Sequence, residues 1–324
     1  MKKLFQSGLV LTALGLLVSC GQPSSESQSL SANIINGKVT APGEWTNVVA
    51  LVSKRDGSKF CSGTVIAPTM IYSAAHCIIT SDDVLDVLKN LEDKINGLAT
   101  PTEKRDYISF IVKFLFKRTV DDLAIEVDGQ VSDVVASVKI DAEWESYLSI
   151  AAFVKYNLAS EAEKSFNSLN MRDRSEITLK SELAVSIVPK ISAAEWNEII
   201  KDPYLRYAVT FVGYGFTKTQ SEQTAEELDR NSFFGVKHVV ETKLTHISKD
   251  GFTVYAGVNG QSACQGDSGG AAFIKLPKGQ LRFFASITAV ARIKCGADIA
   301  SRLNGSLGNL TLGSTKVDLR VDNL

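Results

Sequence analysis

Ser268 is the residue whose surroundings point most directly to chemistry. It sits in Ser262-Ala263-Cys264-Gln265-Gly266-Asp267-Ser268-Gly269-Gly270, where three glycines around one serine imply tight backbone turns beside a reactive hydroxyl. A free hydroxyl is a poor nucleophile near neutral pH. It needs a histidine to take its proton and a carboxylate to hold that imidazole in one tautomer. The chain has three histidines. His76 ends an apolar, strand-like run, Ile71-Tyr72-Ser73-Ala74-Ala75-His76-Cys77, whereas His238 and His246 lie in alternating segments where a half-exposed strand histidine is expected. His76 is therefore the candidate base.

The rest of the chain must fold to bring these two residues together. Of 324 residues, 44% are hydrophobic and 22% charged, which is ordinary for a protein with a buried core. A formal net charge of -1 provides no basic field to gather nucleic acid, so no nucleic-acid partner is expected. Lys2 and Lys3 precede an uncharged run from Leu4 to Val18, which reads as a signal peptide over residues 1–19. Leu17-Val18-Ser19-Cys20-Gly21 resembles a bacterial lipobox, with Cys20 as the lipidated residue. The Ser-rich stretch that follows reads as a flexible tether, so residues 20–33 form a lipid-anchored propeptide. These features imply an exported protein of the cell envelope or outer membrane, attached to the membrane through Cys20.

Four cysteines remain: Cys61, Cys77, Cys264 and Cys295. An exported chain can oxidise them, and spacing alone leaves all three connectivities open. No metal site is expected, because there is no Cys-x-x-Cys pair.

Three motifs in order resemble those of the chymotrypsin and trypsin family of serine proteases. Ser73-Ala74-Ala75-His76-Cys77 resembles its histidine motif and Gly266-Asp267-Ser268-Gly269-Gly270 its serine motif, while Ile34-Ile35-Asn36-Gly37 resembles its mature amino terminus. Cys61-Ser62-Gly63 and Gly213-Tyr214-Gly215 add further likeness. The resemblance implies an all-β fold of two six-stranded antiparallel Greek-key β-barrels over residues 34–324. It also implies a monomeric serine endopeptidase acting on protein or peptide substrates through an acyl-enzyme, with no cofactor. Further implications are disulfides Cys61–Cys77 and Cys264–Cys295, an oxyanion hole from the N–H groups of Gly266 and Ser268, and an activation pair between a new amino group on Ile34 and Asp267.

Two segments compete for the acid that orients His76. Asp121-Asp122-Leu123-Ala124-Ile125 resembles the family's acid motif and makes Asp122 the first choice. Ser181-Glu182-Leu183-Ala184-Val185 has the same shape with a Glu. Under that alternative, Leu123 to Val127 is an earlier barrel strand and insertions fall both between Cys77 and Asp121 and after Trp144. Either way, helical spacing and a lack of Pro and Gly from Glu143 to Lys180, with a further short helix at Ala193 to Ile200, place a helical insertion around 143–200.

The resemblance puts Ser262, Thr288 and Val290 in the primary substrate pocket. With no carboxylate there, Lys or Arg before the scissile bond is disfavoured, and small or medium apolar side chains are expected. Two other functions fit the same strings. One is a catalytically inactive protease-like binding protein; the other is an esterase, since Gly266-Asp267-Ser268-Gly269-Gly270 also satisfies a loose Gly-x-Ser-x-Gly pattern, although no α/β alternation surrounds it.

Overall fold

The computed structural model describes residues 34, 37–164, 172–202, 207–215, 235–247, 253–257, 261, 263–264, 266–290 and 315–319. All of them belong to one compact unit, Ser31–Leu324. The signal peptide, Cys20 and the tether lie outside the described residues.

Two antiparallel sheets carry the fold. The first has the order β6 (Gln130–Ser132), β5 (Leu123–Val127), β2 (Val48–Ser53), β3 (Lys59–Ala67), β4 (Met70–Ser73), β8 (Ser175–Leu179), β7 (Val135–Ile140). In the second, β9 (Ala208–Gly213), β10 (His238–Ile247), β11 (Thr253–Ala256), β14 (Thr315–Leu319), β13 (Leu281–Val290) and β12 (Ala271–Lys275) pair in a closed ring, because β12 returns to β9. The two-residue β1 (Lys38–Val39) joins β10. The arrangement is consistent with the expected chymotrypsin-like pair of barrels, although among the described residues strand pairing closes only the second sheet. The second ring has the expected six strands, while the first sheet has seven: Asp128 and Gly129, both at positive φ, turn the chain back so that β6 adds to the edge of β5.

The strands at the centre are buried on both faces, and their alternation sorts residues into separate cores. In β2, Val49 and Leu51 point into the first barrel with Ile71, Ile125 and Ile177, while Val48, Ala50 and Val52 point into a seam with Val212, Tyr214, Phe273 and Phe283. The second barrel fills with Phe211, Val240, Ala272, Phe284 and Ile287. Ions tie the seam as well: the buried Lys237 ammonium donates to Trp45 O (3.0 Å) and to Asp128 Oδ1 (2.7 Å).

Helices form a third layer. α1 (Ser81–Lys89), α2 (Glu92–Asn96) and α3 (Pro101–Asp121) fall between His76 and β5, and α4 (Ala142–Lys155) and α5 (Glu161–Lys164) between β7 and β8. Thr80 with Asp83, and Thr100 with Glu103, form reciprocal caps that start α1 and α3. On α4 the buried residues Trp144, Leu148 and Ala152 recur every four positions and pack on Val84, Leu88, Ile108 and Val112. Each large side chain so buried contributes roughly 1.5–3 kcal/mol.

The stretch expected as a helical insertion, 143–200, holds α4, α5 and at its end α6 (Ala193–Lys201), but strand β8 and extended chain lie between them, and a larger helical block precedes β5. Among the described residues no helix is long and apolar enough to cross a membrane.

Candidate active site

His76 sits in the turn after β4, and that turn is held from two sides. Ala74, Cys77 and Ile78 pack into the first barrel, whereas Ala75 and Ile79 pack into the helical layer. Ser175 Oγ donates to Ala74 O (3.0 Å), and Trp144 Nε1 donates to Ile79 O (3.0 Å). The Trp144 ring lies 6.3 Å from the imidazole, centroid to centroid. Cys61 and Cys77 form a disulfide that pins the same turn to β3.

Asp173 meets His76 with both carboxylate oxygens. Oδ2 lies 2.5 Å from Nδ1, and Oδ1 accepts the His76 backbone N–H at 2.9 Å. The Asp173 side chain is 8% exposed and that of His76 27%. An ionised carboxylate only accepts, so the shared hydrogen resides on Nδ1, and Nε2 of the neutral ring is left as an acceptor.

Neither acid expected from the sequence takes this place. Asp122 instead forms an ion pair with Arg55 at 2.6 Å, with side chains 31% and 67% exposed, at the start of β5, which is an early barrel strand. Glu182 is exposed, in the extended chain after β8. Asp173 lies two residues before β8, whose Ser175, Ile177 and Leu179 face inward.

Ser268 is partly buried on a loop stapled to both sheets. Its carbonyl accepts from Ser62 N (2.8 Å) on β3, and Gly269 N donates to Ile287 O (2.6 Å) on β13. Ser62 Oγ donates to Gly266 O (2.9 Å) and accepts from Tyr214 N (3.0 Å). Cys77 Sγ is 3.5 Å from Ser268 O, so the serine loop lies against the residue that follows His76. Gly269 must be glycine: φ is +79, and a Cβ would overlap Ser73 Oγ and Ser62 O. Among the described residues no acceptor takes the N–H of Gly266 or Ser268.

Asp267 turns its carboxyl to backbone N–H groups of the second sheet's loops. It is fully buried, with Oδ1 accepting from Gly215 N (2.7 Å) and Oδ2 from Cys264 N (2.8 Å). Burial pushes its carboxyl up to about 7, opposed by those two N–H groups. Ile34 is buried in the core of the second barrel with Ala263, next to Cys264.

Other expected residues have different outcomes. Thr288 is buried, and its hydroxyl has no hydrogen-bond partner among the described residues. Ser262 and Cys295 lie outside the described residues, as does the side chain of Val290; Cys264 is disulfide-bonded. His238 is buried in β10 rather than half-exposed, with Nδ1 on Val236 O (2.7 Å), and burial pushes its pKa down to about 4. His246 packs on Tyr255. Cys61, His76 and Cys77 present possible ligand atoms within 4.8 Å of one another, but the two sulfurs are bonded to each other and supply no thiolate.

A family model described as Trypsin matches residues 34–152. That segment is similar to the trypsin family. The matched segment includes His76, Cys61 and Cys77 and ends within α4. The match supports a trypsin-like serine protease in general. Asp173 and Ser268 lie beyond the matched segment, and the structure brings both against the turn that carries His76 and Cys77.

Proposed function

We propose that this protein is a serine endopeptidase in which Ser268 is the nucleophile, His76 the general base and Asp173 the acid that orients it. The observation that carries this reading is the Asp173 carboxylate on Nδ1 of His76, beside the Ser268 loop. Ser268 Oγ bonds to the carbonyl carbon of the scissile peptide as its proton passes to Nε2. The oxyanion that forms accepts from the N–H groups of Gly266 and Ser268, each worth roughly 10²-fold or more in rate. His76 then gives its proton to the leaving nitrogen as the C–N bond breaks. The acyl ester left on Ser268 is hydrolysed by a water activated the same way.

The chain acts after a cut before Ile34. The new ammonium enters the site of Asp267, whose buried carboxylate has no cationic partner among the described residues. The same cut separates the enzyme from lipidated Cys20, so activation releases a cell-envelope lipoprotein into solution. Disulfides Cys61–Cys77 and Cys264–Cys295 both lie after the cut. Small or medium apolar residues precede the scissile bond, since neither Ser262 nor Thr288 offers a counter-charge.

Casein hydrolysis by protein beginning at Ile34 tests the reading. The wild type degrades casein and Ser268→Ala does not; equal rates for the two would sink the proposal.

A further inference from the structure

The acid occupies an awkward place in the chain. β7 and β8 pair as a hairpin whose last rung is Ile140 opposite Ser175. Between those two positions the chain leaves the sheet, builds α4 and α5, and returns with Asp173 two residues before the rung. Sheet pairing therefore ends before it reaches the carboxylate. Closing so long an excursion has an entropic cost that contacts at its base must offset, and a catalytic group must be held to about 0.5 Å.

The neighbours of Asp173 supply what the sheet does not. Asp141 N donates to Arg174 O at 2.9 Å, extending the hairpin by one step. Arg174 Nε donates to Asp141 Oδ2 at 3.0 Å, and the guanidinium Nη2 meets the same oxygen. Asp141 Oδ1 accepts from Glu143 N (3.0 Å) and so caps α4. On the other side of the acid, Arg172 N donates to Glu143 Oε2 at 3.1 Å. Both neighbours of Asp173 are thus clasped to the first turn of α4. That turn is itself fixed to the His76 segment through Trp144 and Ile79.

We propose that Asp141 and Arg174 are positioning residues, whose ion pair closes the neck of the helical excursion and holds the Asp173 carboxylate on His76. The side chains are 13% and 26% exposed, so the pair is shielded enough to act as a fixed clasp. This inference rests on the triad reading.

Its test compares wild type, Arg174→Ala, Asp141→Asn, their double variant and Arg174→Lys, each processed to begin at Ile34. Arg174→Ala leaves the α4 cap intact, and Asp141→Asn keeps the cap oxygen while removing the charge. The expected result is a fall in kcat of roughly 10- to 100-fold with KM within about twofold, since displacement by an ångström can cost that much. The double variant is no worse than the worse single one. Arg174→Lys, which keeps the charge without the fork, recovers part of the loss. The low-field proton resonance of the Nδ1–H of His76 broadens or vanishes in Arg174→Ala, while circular dichroism stays that of the wild type. Unchanged kcat and resonance would overturn the proposal. So would lost activity with the resonance intact, which marks general destabilisation. If Arg174→Ala does not fold, Asp141→Asn and Arg174→Lys decide by the same two readouts. Full activity in Asp173→Asn would instead overturn the triad reading itself, independently of the clasp.

Discussion

Asp173→Asn is the perturbation that separates the observed acid from the residues the sequence favoured. Asparagine matches aspartate in shape, so the backbone contact from His76 N to Oδ1, 2.9 Å in the wild type, survives through the amide oxygen. The amide nitrogen then faces Nδ1, where Oδ2 stood at 2.5 Å. A donor there forces Nδ1 to accept, so the ring hydrogen moves to Nε2 and the base is lost to Ser268. A wrong tautomer in an otherwise intact triad lowers kcat about 10⁴-fold, equivalent to about 5 kcal/mol of barrier. Asp122→Asn breaks only a largely exposed pair with Arg55, of a kind worth about 0–1 kcal/mol, and leaves kcat within twofold. The assay is kcat on a chromogenic peptide, with enzyme beginning at Ile34 and circular dichroism as the check on folding. The reasoning fails if Asp173→Asn keeps more than a tenth of wild-type kcat, or if Asp122→Asn matches its loss.

Three further outcomes follow from the same geometry. In the uncut chain the Asp267 carboxyl, raised from 3.8 to about 7, contributes stability that is full below pH 3.8 and is lost as pH rises through 7, on the order of 4 kcal/mol. His238, lowered from 6.5 to about 4, acts in the opposite sense, its contribution being full above pH 6.5 and lost as pH falls through 4. Urea unfolding between pH 4 and 7.5 therefore shows Asp267→Asn removing the decline and His238→Gln removing the opposing rise; unchanged slopes contradict both assignments. Gly269→Ala places a Cβ on Ser73 Oγ and Ser62 O at positive φ and destabilises by roughly 2–5 kcal/mol, read from the denaturation midpoint, and a neutral substitution refutes the packing account. A panel of peptides differing only before the scissile bond gives faster cleavage after small or medium apolar residues than after Arg, and Arg cleaved fastest would remove that specificity assignment.

Much of the site is legible in the sequence because its signals are local. Glycines around Ser268 mark a loop that tolerates no Cβ at Gly269, and the small residues before His76 mark a turn buried between two cores. The pairing of Cys61 with Cys77 came from the resemblance rather than from spacing, and the bond joins β3 to the turn after β4. The acid is different, because its signal is not local. Asp122 opens a barrel strand with the right apolar shape, yet β5 pairs with β2 and β6, away from the β4–β8 rung that leads to the histidine. Asp173 lies 97 positions from His76, and polar Arg174 and Glu176 interrupt the apolar run after it. Only sheet order shows that β8, not β5, lies beside β4. The helices before β5 were hidden for a related reason: their burial is against one another and against α4, so no single segment shows the layer they form.

Catalysis by this site requires that His76 and Asp173 make Ser268 nucleophilic. Mass-spectrometric mapping of a fluorophosphonate adduct, on protein beginning at Ile34, measures this directly. The account predicts one adduct, on Ser268, formed rapidly in the wild type and at least 10²-fold more slowly in both His76→Ala and Asp173→Asn. An adduct on another residue, or equal labelling rates in all three proteins, would contradict it.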